Sequence, residues 1–429
     1  MNIKNTIIEQ NGHWRGKTSE NLVEREVVQK IKLESGLVEV LTGVRRSGKS
    51  AIFEILINKI IAGKKGKKEE ILLINFDHPS FLPVYRSVEQ LDAVIEEAEE
   101  VVGGKIKFLF LDEIQNVEHW EKWVKAKYDA KAFKKIFITG SNSRLLEGEF
   151  IARLSGRYFG RLIQPFSFRE YLVEEGIPVS PKYVDNFDRL PAIGSAFMRY
   201  LKTGGFPESV ISGDIDILKT YYQTIILKDV IDSGNIRDSY NLKQCAYYLL
   251  SNCASLFSFN QIGKQLDIHE NTVKEYVSLL EDAYLVSELR KFDFSIRKQQ
   301  VNRRKIYCVD NGLVTQVGFA FSENSGRLLE NAVKNELDRR GHESYYYAGK
   351  NECDFVLKEG VGISSAIQVC HELNEKNRQR EIAGLLEAMG EYKLKNGIII
   401  TLKQDDVISQ GAKKIRAIPA WQWFLGIDH

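Results

Sequence analysis

Between Val38 and Thr139 the chain sets short apolar runs between longer mixed stretches. The runs are Val38-Glu39-Val40-Leu41-Thr42, Ile71-Leu72-Leu73-Ile74-Asn75-Phe76, Phe108-Leu109-Phe110-Leu111 and Lys135-Ile136-Phe137-Ile138-Thr139. Apolar runs of this length, with no polar alternation, suit strands covered on both faces, and so predict a parallel sheet in an α/β fold. The stretch Ala51 to Ala62 after the first run predicts a helix.

The pattern changes further along. Ser258-Phe259-Asn260 predicts a helix cap before Gln261 to Leu266; Asp267-Ile268-His269 is a short turn, and Glu270 opens a second helix to Asp282. Apolar positions Ile262, Leu266, Ile268, Val273, Val277 and Leu280 have the spacing of two helices packed across a tight turn, a helix-turn-helix. Tyr284-Leu285-Val286 and Ile306 to Val309 read as strands flanking a wing. Leu328 to Leu337 is an amphipathic helix ending at Gly341, followed by strands Ser344 to Ala348, Cys353 to Leu357 and Ala366 to Cys370. Trp421 to Leu425 reads as a strand or short helix docking into this last region. The expected division is an α/β core with its N-terminal segment over residues 1–200, a helical linker and winged helix over 201–320, and a last α/β domain over 321–429.

Chemistry enters at residues 43 to 50, GVRRSGKS, which lie between the first strand and its helix. Glycines at 43 and 48 allow backbone angles that side chains forbid, so successive N–H groups can turn inward around a phosphate at the positive end of the helix. Gly43, Val44, Arg45, Arg46, Ser47, Gly48, Lys49, Ser50 and Ala51 are therefore the expected nucleotide-binding residues. Lys49 would reach the β- and γ-phosphates of ATP, and Ser50 would sit on Mg²⁺. The strand Phe108 to Leu111 runs into Asp112 and Glu113. Parallel sheets present ligands at the carboxyl ends of their strands, so Asp112 is expected on Mg²⁺ and Glu113 on the attacking water. After the fourth strand, Asn142, with Ser141 beside it, could contact that water or the γ-phosphate; a turn or helix cap is the alternative. Arg157, with Arg153 upstream, stands where an arginine would meet a neighbouring subunit's γ-phosphate in a ring, or else is a salt-bridged surface residue.

Composition narrows the class. Of 429 residues 43% are hydrophobic and 28% charged, and no apolar run approaches the roughly 18 residues of a membrane helix. A cytoplasmic protein with no membrane partner is expected. Cys245, Cys253, Cys308, Cys353 and Cys370 form no CxxC pair, against both a disulfide framework and a zinc cage. The net charge of +2 does not advertise nucleic acid, yet between Arg290 and Lys305 the basic Arg290, Lys291, Arg297, Lys298, Arg303, Arg304 and Lys305 stand against one acid, Asp293. In a DNA reading, Asn271, Thr272, Lys274 and Glu275 would face the major groove of double-stranded DNA while Arg297, Lys298, Arg303 and Arg304 contact phosphates. In the other reading the same fold packs against protein, and Glu270, Glu275 and Glu281 around Lys274 favour it.

GVRRSGKS, FLFLDEIQNVEHWEKW, ITGSNS and LSGRYFGRLIQPFSFREYL, with TGGFPES (Thr203 to Ser209), YYQTIILKDVI (Tyr221 to Ile231) and YLLSNCASLFSF (Tyr248 to Phe259), make a set spread over nearly the whole chain. This set resembles the archaeal and bacterial AAA-type P-loop ATPases that carry a C-terminal domain of unknown function. The resemblance implies ATP and Mg²⁺ as ligands, with Lys49, Ser50, Asp112 and Glu113 in the roles given. It also implies a last domain like a restriction nuclease, where a helical Glu, a strand Asp and a Glu-x-Lys hold a metal. Glu330 and Asp354 fit that pattern, but Gln368-Val369-Cys370 stands in place of Glu-x-Lys. A neutral amide and a soft thiol make a poor hard-cation site, so an inactive nuclease-like module is expected. The functional expectation is an ATPase coupled to a DNA-binding winged helix. A slowly turning signalling or scaffold NTPase with a protein partner or as a homo-oligomer is the alternative, and an ATP-gated nuclease comes third.

Overall fold

The computed structural model describes residues 3–427 apart from 18, 20, 21, 89, 144–155, 235, 237 and 320–324. Two compact units emerge: residues 1–163 with 282–284, and residues 164–281 with 285–429.

In the first unit, α1 (Ile3–Gln10) precedes β1 (Val38–Thr42), α2 (Lys49–Ala62), β2 (Ile71–Asn75), α3 (Gln90–Val102), β3 (Phe108–Asp112), α4 (Trp120–Asp129), β4 (Lys135–Gly140) and β5 (Tyr158–Leu162). The sheet order is β2-β3-β4-β1-β5, and every pair is parallel. Alternate residues of the same strands feed two cores, as the two-residue period of a strand demands. Val40, Leu72, Leu109, Leu111 and Ile138 pack with α3 and α4 on one face. Leu41, Phe110 and Phe137 pack with Ile52, Phe53, Leu56 and Ile60 of α2 on the other. Phe53 meets Phe110 edge to face at 5.0 Å between ring centroids, and Phe110 stacks on Phe137 at 4.3 Å. Full burial of one such ring contributes about 2–3 kcal/mol, so packing rather than capping seats α2; its N-cap residue, Gly48, makes no side-chain cap.

Two features depart from the sequence reading. The strand β5 was not anticipated, because its residues, Tyr158 to Leu162, are half-buried or exposed and lack an apolar run. Glu39, taken as part of an apolar run, is fully buried in β1 and is held by Lys135 Nζ of β4 at 3.4 Å and Arg161 Nε of β5 at 3.0 Å. A charge in a sheet interior requires such partners, and both come from neighbouring strands.

The second unit begins with α5 (Phe168–Glu174), α6 (Leu190–Thr203), α7 (Pro207–Ser212), α8 (Ile217–Thr224) with a π-helical continuation (Ile225–Asp232), and α9 (Ser239–Ser251). Next come β6 (Ser255–Phe257), α10 (Phe259–Leu266), α11 (Glu270–Asp282), β7 (Val286–Arg290), α12 (Ile296–Val301) and β8 (Arg304–Cys308). Ser258 caps α10, its side chain accepting from Gln261 N at 3.2 Å, and Asp267 turns the chain at φ 55°. A Cβ on Gly263 would lie 2.5 Å from Ile268 O, so this tight turn needs glycine there. The strands form an antiparallel sheet in the order β6-β8-β7. The basic run expected as a simple wing contains the short helix α12, and its last residues, Arg304 and Lys305, belong to β8.

The chain then forms α13 (Asn311–Val317), α14 (Ser325–Arg339), β9 (Glu343–Ala348), β10 (Glu352–Glu359), β11 (Gly362–Cys370), α15 (Arg378–Glu391), β12 (Asn396–Thr401), β13 (Asp406–Gln410), β14 (Lys413–Pro419) and α16 (Ala420–Leu425). The six strands are ordered β13-β14-β12-β11-β10-β9, parallel at β11/β12 and β12/β14 and antiparallel elsewhere. Trp421 to Leu425 is helical, and Phe424 packs on Phe197 of α6 at 5.2 Å. All five cysteines are buried and unpaired. Among the described residues no helix is long and apolar enough to cross a membrane.

Three buried carboxyls with strongly raised values, Asp310, Glu281 and Glu330, make the second unit pH-sensitive; burial, and then the charge of Asp354, pushes Glu330 up to about 7. Burial pushes Asp310 up to about 6, against backbone N–H groups of Gly205 and Gly312 and the charge of Arg339, which pull it down. Burial and then the charge of Glu288 push Glu281 up to about 7, against Arg304 and Arg290. A raised carboxyl stabilises the folded state below its unfolded pKa and loses that contribution as pH rises through its folded value. The melting temperature is expected to fall between about pH 4, the unfolded values, and about pH 7, the highest of the folded values. Asp310→Asn, monitored by circular dichroism, should flatten the profile; a melting temperature that rises over this range would refute the assignment.

Candidate functional site

The loop after β1 closes around Lys49. Gly43, Arg46 and Gly48 have φ of 145°, 70° and 94°, which turn the loop so that it wraps the amino end of α2. Gly43 is also sterically required, since a Cβ there would lie 2.0 Å from Ile163 O. The buried Lys49 ammonium donates to Gly43 O at 2.9 Å and Val44 O at 3.1 Å, and lies 3.9 Å from Glu113 Oε1. Arg25, absent from the sequence reading, donates from Nη1 to Ser47 O at 2.8 Å and braces the loop from behind. Only its burial marks it, and burial is invisible in a lone arginine in a polar stretch.

Asp112 and Glu113 arrive from β3, two strands away from β1. Ser50 Oγ donates to Asp112 Oδ2 at 2.7 Å. Between them runs β4, whose Thr139 hydroxyl donates to Asp112 Oδ1 and accepts from Glu113 N at 3.0 Å. Thr139 thus holds both acids, a role the sequence reading missed. The available signal was a hydroxyl at the end of an otherwise apolar strand. Burial, and then the charge of Glu113, pushes the Asp112 carboxyl up to about 6. Glu113 is buried with φ 53°, and its carboxylate accepts from Gln115 Nε2. Arg45 meets Asp77, after β2, at 3.0 Å, and Asn116 Nδ2 also donates to Asp77, at 2.9 Å.

This donor set fits a nucleotide with Mg²⁺. The helix end carries no side-chain cap, and Ser47 Oγ and Thr42 Oγ1 on the loop and its strand are buried with no hydrogen-bond partner among the described residues. The Ser50–Asp112 pair offers hard oxygens suited to an ion that keeps most of its ligands as phosphate and water.

A family model described as an AAA domain matches residues 36–172, and one described as a domain of unknown function (DUF8612) matches residues 194–324. MJ1544, an uncharacterized protein of Methanocaldococcus jannaschii, is 31% identical over 430 residues, covering 94% of this chain and 91% of its own. The chain belongs to this family of AAA-type ATPases with a C-terminal domain of unknown function. An uncharacterized protein of Haemophilus influenzae is 31% identical over 371 residues, 84% of this chain and 88% of its own. The Aeropyrum pernix Orc1 protein, solved in complex with DNA, aligns with 75% of this chain and 95% of its own, at 13% identity and a TM-score of 0.34.

Other sequence candidates of this AAA-family chain fall in different places. Asn142 and the buried Ser141 follow β4, at the same carboxyl edge as the loop and Asp112. Arg157 precedes β5, at the amino edge of the parallel sheet and so opposite the loop, where its Nη1 bonds Asp129 Oδ1 at 2.8 Å. It does not reach this chain's own site. Arg153 lies outside the described residues. Asn271 and Lys274 are exposed at the start of α11 with Thr272 half-buried between them, and Lys274 pairs with Glu270 at 2.7 Å. Arg297 and Lys298 are exposed on α12; the exposed Arg303 donates to Gln261 Oε1 at 2.7 Å. Arg304 pairs with Glu288 and lies 4.8 Å over the Phe259 ring, so much of its charge is spent internally.

The last-domain carboxylates do come together. Glu330 of α14 and Asp354 of β10 share one partner, Lys305 of β8, at 2.9 and 2.8 Å. Lys305 also reaches Glu352 at 2.7 Å, and the Tyr307 hydroxyl donates to Glu330 at 2.7 Å. Lys305 is buried, which removes it from the basic surface expected of the run. Its sequence signal was weak, because a lysine in a strand reads as an outward position.

Proposed function

We propose that the protein binds and hydrolyses ATP at the loop 43–51 and couples the nucleotide cycle to the helix-turn-helix module α10–α11 with its basic wing. The observation that carries this reading is the convergence of Lys49, Ser50, Asp112 and Glu113 on the uncapped amino end of α2. Lys49 would exchange its two loop carbonyls for phosphate oxygens, and the loop N–H groups would hold the β-phosphate. Mg²⁺, held by Ser50 and Asp112, would offset phosphate charge. Glu113, aimed by Thr139 and Gln115, would take the proton of the attacking water, and Asn142 would orient it. Arg157 would act only across an interface between copies.

Double-stranded DNA is the favoured partner of the module, through Asn271, Thr272 and Lys274 and the exposed Arg297, Lys298 and Arg303. One observation supports the rival, a slow switch with a protein partner. Phe294, Ile296 and Val301 on and beside α12 are 78%, 72% and 76% exposed, a density of apolar surface that protein partners cover.

The deciding experiment measures ATP turnover with and without duplex DNA, using Glu113→Gln as the blank. Stimulation by DNA is expected. Arg297, Lys298 and Arg303 replaced together by Ala should weaken duplex binding for all sequences and reduce the slope of log affinity against log salt by about one for each phosphate no longer neutralised. Turnover indifferent to DNA, with no salt-dependent binding, would transfer the module to a protein partner.

A further inference from the structure

The Lys305 cluster is unlike the metal centre that a nuclease-like domain would carry. An ammonium has three N–H donors, and Lys305 Nζ has three carboxylate partners, Glu330, Glu352 and Asp354, at 2.7 to 2.9 Å. Two of these contacts are hydrogen bonds, donated to Glu330 Oε1 and Asp354 Oδ1, and Glu352 completes the group as an ion-pair partner, so the ammonium is held among three carboxylates. Several of the carboxylate oxygens carry further bonds. Asp354 Oδ2 accepts from Val369 N at 3.0 Å, while Glu330 Oε1 accepts from both Lys305 and Tyr307.

The strand that should complete a metal centre brings no free ligand to it. Gln368 Nε2 donates to Glu381 Oε2 at 2.8 Å and its Oε1 accepts from Asp354 N at 3.2 Å, which ties the amide into the scaffold. Burial pushes the Cys370 thiol up to about 12, so it offers no thiolate. Among the described residues no group of three or more His, Cys, Asp or Glu is arranged to hold a metal ion. A divalent cation entering here would meet a fixed, buried positive charge at contact distance, where low dielectric magnifies repulsion.

We propose that Lys305 is the resident cation of this cluster: it closes the last domain to divalent metals and locks β8 to α14 and β10. The charge is secure. Burial alone would lower the Lys305 pKa, but the charges of Asp354 and Glu330 more than reverse this and hold it well above the ordinary value. The lock joins strands of different sheets, since β8 pairs with β6 and β7 in the three-stranded sheet while β10 belongs to the six-stranded one. It also sits next in sequence to Arg303 and Arg304, so it sets where those arginines stand relative to the last domain. This inference does not depend on the ATPase reading, because none of its residues belongs to the first unit.

Manganese binding to the full chain, followed by electron paramagnetic resonance, tests it. The Asp112→Asn background removes the acid proposed for the nucleotide site. In that background the chain is expected to hold no manganese at millimolar concentration. Adding Lys305→Met should create about one site per chain, because the freed carboxylates are hard oxygen ligands. Adding Asp354→Asn should abolish that site. Lys305→Met should also melt at lower temperature, with manganese restoring part of the loss. Manganese bound in the Asp112→Asn background and lost on Asp354→Asn would overturn the proposal, and this arm needs no Lys305 variant to fold. A Lys305→Met chain that melts like its parent and takes up no manganese would overturn it equally.

Discussion

Lys49→Ala is expected to abolish nucleotide binding. The Lys49 ammonium is buried within the loop and its neighbours there are two carbonyl oxygens and the Glu113 carboxylate. A hydrogen bond to a charged group contributes about 1.5–3 kcal/mol, and a P-loop lysine reaching two phosphates makes at least two. Affinity for ATP should therefore fall by at least about 100-fold, read by isothermal titration. The same carbonyls lose a donor, so a melting curve must accompany the titration, and Lys49→Met serves as the less disruptive variant. Unchanged affinity in a folded variant would return GVRRSGKS to an ordinary turn.

Glu113→Gln is expected to separate binding from chemistry. The amide keeps the size of the carboxylate and leaves the backbone bond to Thr139 in place. It cannot take a proton, and loss of a general base costs roughly 10²- to 10⁴-fold in rate. Turnover should fall by that factor while ATP affinity stays within a few-fold. The positive φ of Glu113 is shared by the variant, so backbone strain is the same in both. Normal turnover in this variant would move the base to another group on the carboxyl edge.

The two expected results differ in how much of their basis was legible in the chain. Lys49 stands on local order: strand, glycine-rich loop and helix are consecutive in sequence, and each has its own pattern. Glu113 required a further step, that β3 lies close enough to β1 to share an edge. In the sheet order β2-β3-β4-β1-β5 it is β4 that lies between them, and the hydroxyl of Thr139 spans the gap. The basic run shows the opposite limit. Arg297, Lys298, Arg303, Arg304 and Lys305 look alike in sequence, yet two are exposed on a short helix, one is exposed and bonded to Gln261, one is stacked on Phe259, and one is buried among carboxylates.

From sequence alone came the glycine-rich loop after β1, the carboxylates ending β3, the parallel α/β core and the paired helices α10 and α11. Each depends on periodicity or on residues close together in the chain, and such local preferences are written into the order of residues. Only the tertiary structure decided that Glu39 is matched by Lys135 and Arg161, that Arg157 lies at the far edge of the sheet, and that Lys305 closes the Glu330–Asp354 cluster. A charged side chain in a strand has the same sequence pattern whether it faces water or a buried partner. The partner comes from another strand or helix, so which one wins is settled by long-range pairing and by the cost of burying a charge unpaired.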